Sequence, residues 1–143
     1  MAQITVVHHG VSITISSKDR IQLGSLDLTI GNWPERAWDP TEVKAALRTL
    51  HAQPHNPKRV NCQQGQNRSP TMAILYLWWR SGRTLGEACD AVVAAYDAAE
   101  VELGEEKIAN LLEQLLGAYC NKRNATWDDI RALLPGAAAL LLP

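Results

Sequence analysis

The chain has no surplus of either charge: 14 Lys and Arg stand against 15 Asp and Glu. Without a dominant basic face, bulk binding to the phosphate backbone of nucleic acid is not expected. A long apolar run is also missing. The tail GAAALLLP falls far short of a bilayer's thickness, and the start MAQITVVHHG has neither the charged nor the apolar segment of a secretory leader, so no membrane partner is expected. Cysteine is scarce. Cys62, Cys89 and Cys120 form an odd, widely spaced set without zinc-knuckle spacing, which points to a reduced, cytoplasmic protein with no metal framework. Phenylalanine is absent, against five Trp and three Tyr, and no function follows from that bias. A chain of 143 residues is most simply one domain, residues 1–143, large enough to fold without staples.

What is present reads as strands, a helix, a strand and then helices. ITVV and VSITI are short and β-branched, with HHG as the turn between them; SSKD is a further turn, and LDLTI at residues 26–30 alternates as a strand does. GNWPERAWDP is a loop. Asp39, Pro40 and Glu42 start a helix over TEVKAALRTL. KRVNC is a poor strand candidate, because Val60 is its only aliphatic residue. SPTMAILYLWWRSG is apolar on nearly every side, as a buried central helix must be, and Gly82 ends it. Thr84 and Glu87 open a helix whose apolar stripe is Leu85, Ala88, Cys89, Val92 and Tyr96. Ile108, Leu111, Leu112, Leu115 and Leu116 share a face of another, and Thr126 caps a short last one. The class is α/β, with one small sheet flanked by helices.

Residues 61–71, NCQQGQNRSPT, interrupt this ordinary pattern. They lie between the poor strand and the start of the apolar helix. Main-chain N–H groups at such a junction converge with partial positive charge, and Gly65 lets the loop curl so that they do. Arg68 can place two parallel N–H donors on two phosphate oxygens. The same surroundings favour a thiolate at Cys62, and Ser69 can donate to that sulfur when an intermediate breaks down. The loop is thus read as a dianion site built from Cys62, Gln63, Gln64, Gly65, Gln66, Asn67 and Arg68. The competing reading is a buried small cysteine beside a surface arginine.

CQQGQNRS resembles the Cys-x5-Arg-Ser signature of the protein tyrosine phosphatase superfamily, and the short chain with its helical ending is similar to the small dual-specificity branch. The likeness covers residues 26–117 in the order of elements. It implies a phosphotyrosine phosphatase-like fold and a phosphatase acting on phosphomonoesters of proteins or on small aryl phosphates. In that reaction Cys62 is the nucleophile, a phosphocysteine forms, and an acid on a separate loop serves first as acid and then as base, with no metal or cofactor. The family's acid sits in a Trp-Pro-Asp loop. Here NWPER supplies Trp33 and Pro34, with Glu35 in the acid's place; Glu35 would need partial burial to keep its proton near neutrality. Asp39 and Asn32 are the rivals, the first with an alternative role as helix cap, the second unable to donate a proton.

Two departures from the family pattern stand out. Asn61 replaces the His that normally precedes the cysteine and helps order the loop, and Asn67 replaces a frequent Ser. The four variable loop residues carry no charge, which disfavours substrates bearing several phosphates and suits a single phosphate on Tyr, Ser or Thr. Trp33 and Trp38 either line the pocket mouth or pack the loop down. His8 and His9 would point to opposite faces of a strand, which disfavours a shared metal site. Cys89 belongs to the core, Cys120 is a conceivable resolving thiol, Trp78 and Trp79 belong to the core, and EVELGEE is a solvated acidic turn. The alternatives to a phosphatase are a pseudophosphatase that captures phosphorylated partners without turnover, and a thiol enzyme such as a sulfurtransferase or arsenate reductase.

Overall fold

A computed structural model describes residues 3–31, 33–35, 37–120, 126–132 and 142–143, without side chains for 117–120. Strands β1 (Ile4–His8) and β2 (Val11–Ser16) form an antiparallel hairpin. His9 and Gly10 both take positive φ, 49° and 79°, the two-residue turn that matches strand twist. β4 (Lys58–Asn61) lies parallel to β2 on one side and to β3 (Leu26–Asp27) on the other, so the sheet order is β1-β2-β4-β3.

The least strand-like segment is therefore central. At Arg59 one side chain takes a neighbouring strand's place: Gln53 accepts from Arg59 N and donates to the Arg59 carbonyl. The buried Lys58 ammonium donates to the Gln53 carbonyl at 2.7 Å. β3 is shorter than the 26–30 expected from alternation. The Asp27 carboxylate accepts from both Thr29 N and Thr29 Oγ1, a local turn that pulls the chain off the sheet after two residues. SSKD also differs: Lys18–Arg20 is one turn of 3-10 helix.

The helices match the pattern closely. α1 (Pro40–Ala52) is capped by Asp39, whose carboxylate accepts from Thr41 N, and buries Val43, Ala46, Leu47 and Leu50. α2 (Arg68–Ser81) is buried continuously from Ser69 to Trp78 and ends at Gly82 in the left-handed conformation. It packs across β2 and β4 and is flanked by α1, α3 (Leu85–Ala98) and α4 (Glu105–Cys120). α3 buries the whole expected stripe from Leu85 to Tyr96. α5 (Trp127–Arg131) starts in a complete Thr126–Asp129 capping box. The result is an α/β protein with a small mixed sheet. Its buried residues form one core, and no helix among the described residues is long and apolar enough to cross a membrane.

Candidate active site

The loop from Cys62 to Asn67 joins the C-terminal end of β4 to the N-terminus of α2. Its carbonyls are held from outside. Lys18 N donates to Gln63 O, the Tyr96 hydroxyl to Gly65 O, Gly104 N to Gln66 O, and both Thr71 N and Thr71 Oγ1 to Asn67 O. In a trans peptide the next N–H points away from the carbonyl. Fixing those four carbonyls turns the N–H groups of Gln64, Gln66, Asn67 and Arg68 the other way. Gly65 has φ of 74°, a conformation that L side chains rarely adopt, and its N–H donates to Cys62 Sγ at 3.2 Å. Asn67, at the N-cap of α2, makes no side-chain bond to the first turn, so that turn's N–H groups are left for another acceptor.

Cys62 is 3% exposed, yet it lines a cavity of about 350 Å³ together with Thr29, Glu35, Gln63, Gln64, Gln66, Asn67, Arg68 and Lys107. Ser69 is fully buried, with Oγ 3.1 Å from Cys62 Sγ. Sulfur, serine, arginine and the neutral loop residues thus meet as their spacing suggested.

Arg68 differs in detail from the expected free fork. Its Nη1 donates to the carbonyls of Leu28 at 3.0 Å and Trp33 at 2.9 Å. Nε and Nη2 take no acceptor among the described residues, so one edge of the guanidinium grips the preceding loop and the other is open. Arg68 also forms part of a second cavity of about 560 Å³, with Leu28, Thr29, Gly31, Trp33, Pro34, Ala37, Asp39 and Glu42.

The acid candidates separate. Glu35 is on the wall of the Cys62 cavity but exposed, so the partial burial its role would need is not there. Asp39 faces the second cavity and caps α1, the structural alternative weighed from sequence. Asn32 lies outside the described residues. Trp33 and Trp38 stack edge to face, 5.1 Å between ring centroids, and Trp38 Nε1 donates to Pro34 O, so the pair packs this loop down while Trp33 also lines the second cavity.

Asn61, fully buried, is part of a polar network rather than a substitute for an imidazole. Its amide donates to Asp27 Oδ1 at 2.9 Å and accepts from Ser25 Oγ at 2.7 Å, and Lys18 closes the network on Asp27. Burial raises the Asp27 carboxyl, but the Lys18 ammonium, Thr29 and Asn61 outweigh it and bring it down to about 2.

Cys89 is core, and burial, reinforced by Asp90, pushes its thiol up to about 12, leaving it inert. The side chain of Cys120 lies outside the described residues. Trp78 is buried, and Trp79 packs against His51 and Tyr76 under Arg80. EVELGEE is not only a solvated turn: Val101 and Leu103 pack on the core, and Gly104 braces the anion loop. His8 and His9 do not point apart, because β1 ends at His8 and the positive φ of His9 brings the rings edge to face, 4.6 Å between centroids.

Sequence reading missed Tyr96, Gly104 and Lys107. Tyr96 looked like one more stripe residue; only its hydroxyl, awkward on an apolar stripe, signals a polar partner. Burial, then the nearby Cys62, pushes that hydroxyl's pKa up, so it stays a donor. Comparison with protein-family models, with curated proteins and with solved structures gives no match for this chain.

Proposed function

We propose that this protein is a cysteine phosphatase of phosphomonoesters, acting on phosphotyrosine and, given its neutral loop, on phosphoserine or phosphothreonine or small aryl phosphates, with the fold of the small dual-specificity branch. The observation that carries the reading is the outward anchoring of four loop carbonyls around Cys62. It leaves the N–H groups of the same peptides facing away from those anchors and free for an anion, beside a sulfur contacted by Gly65 N and Ser69 Oγ. A phosphate dianion there meets the open edge of Arg68 and the α2 N-terminus.

In the first step the Cys62 thiolate attacks phosphorus, an S–P bond forms, the P–O bond to the leaving group breaks, and that oxygen takes a proton. That role is assigned to Glu35, the one carboxylic acid lining the Cys62 cavity among the described residues, and its exposure makes the acid the weakest part of the machinery. In the second step water attacks phosphorus, the S–P bond breaks, the water's proton passes to the base, and Ser69 steadies the departing sulfur. The test is hydrolysis of p-nitrophenyl phosphate. Cys62→Ser and Arg68→Ala should each abolish it; an unchanged rate in either rejects the assignment.

A second reading is a phosphate-binding module with little turnover. The exposure of Glu35 and the network role of Asn61 favour it. Wild-type protein that binds tungstate but hydrolyses no aryl phosphate would establish the module instead.

A further inference from the structure

The turn of the β1–β2 hairpin and the first turn of α3 come together far along the chain from the anion loop. His8, His9 and Glu87 each offer a ligand atom there, and these atoms all lie within 4.8 Å of one another. We propose that the three side chains form a binding site for a divalent transition metal, Zn²⁺ in the first instance, which ties the hairpin to α3.

Two imidazoles and one carboxylate are a ligand set that zinc accepts, with the remaining positions left to water. Metal–ligand bonds of about 2.0–2.2 Å put neighbouring ligand atoms of a tetrahedral site roughly 3.3–3.5 Å apart, so small side-chain rotations close the observed triangle.

An independent observation points to a ligand. His8 is 9% exposed, and its Nε2 is buried with no hydrogen-bond partner among the described residues. An orphaned buried ring nitrogen carries an unrepaid desolvation cost, which a metal ion bound at that nitrogen would remove.

The backbone supports the arrangement. His9 has φ of 49° in a turn position where glycine or asparagine would be unstrained, and this conformation sets its ring beside that of His8. Glu87 is held by its place on α3, where its N–H donates to the Thr84 cap while its carboxylate stays exposed. Arg83 is the unfavourable charge nearby, and the carboxylate offsets it.

The experiment is calorimetric titration of the full chain with ZnCl₂, alongside thermal melts with and without metal. One equivalent should bind and raise the melting temperature. His9→Gly is the decisive variant, because it removes a ligand while suiting the positive φ, so the apo protein should fold at least as well as wild type. Both His9→Gly and Glu87→Gln should weaken binding by about tenfold or more and lose the thermal shift. Cys62→Ser should bind as wild type does. Absence of one-to-one binding in the wild type, wild-type affinity in both ligand variants, or loss of binding in Cys62→Ser would each overturn the site, the last by placing the metal on the anion loop.

Discussion

Arg68 Nη1 donates to the main-chain carbonyl of Trp33 at 2.9 Å, so the group proposed to clamp phosphate also holds the loop that carries Glu35. Loop position and anion affinity are therefore coupled through one planar cation. Lysine cannot reproduce this, since an ammonium is a point donor with no second edge. Arg68→Lys should lower kcat/KM for p-nitrophenyl phosphate by about a hundredfold or more, from two charge-assisted hydrogen bonds lost. It should also change the emission of the Trp33–Trp38 pair. A variant with a wild-type rate would show that the fork is not used.

Tyr96→Phe removes the hydroxyl on Gly65 O and leaves a buried carbonyl unpaired. The expected cost is about 1–3 kcal/mol in urea denaturation. Phosphate affinity should fall along with it, because the Gln66 N–H loses its orientation. Loss of stability with unchanged phosphate affinity would make Tyr96 a packing residue only.

Gly104→Ala probes the same loop from the residue that precedes α4. A Cβ at this position would lie 1.8 Å from Asn67 Oδ1 and 3.2 Å from the Gln66 carbonyl oxygen. The Asn67 amide can swing away, but the main chain at Gln66 must yield. Stability should drop by about 1–3 kcal/mol, the usual cost of overpacking. Turnover should fall while far-UV circular dichroism stays native.

The Asp27 network gives an acid-side dependence. Its folded pKa of about 2 lies below the ordinary aspartate value, so its contribution is complete above about pH 4 and is lost as pH falls toward about 2. The difference amounts to about 2 kcal/mol. Urea midpoints measured over that range should fall in the wild type and fall less in Asp27→Asn. Parallel curves for the two proteins would remove Asp27 as the source.

The helices and the loop chemistry were legible because each depends on local signals. Asp39, Thr84, Thr126 and Gly82 cap where their types predict, and the stripes of α1, α3 and α4 are buried. Cys62, Arg68 and Ser69 meet because a strand–loop–helix junction fixes their spacing. What was not legible is non-local. β4 looked too polar for a central strand, and distant partners accommodate it: Gln53 at the end of α1 for Lys58 and Arg59, and Ser25 and Asp27 for Asn61. β3 stops early because of an Asp27–Thr29 turn that alternation does not register. The pairing of His8 with His9 depends on one positive φ, which reverses the rule that neighbours on a strand diverge.

The most direct measurement is mass mapping of the protein quenched in acid during turnover of p-nitrophenyl phosphate. The expected result is a phosphate adduct on the peptide carrying Cys62 in wild type, and neither adduct nor turnover in Cys62→Ser. Hydrolysis that continues in Cys62→Ser, or wild-type turnover with no adduct on that peptide, would contradict a sulfur nucleophile beneath the bound phosphate.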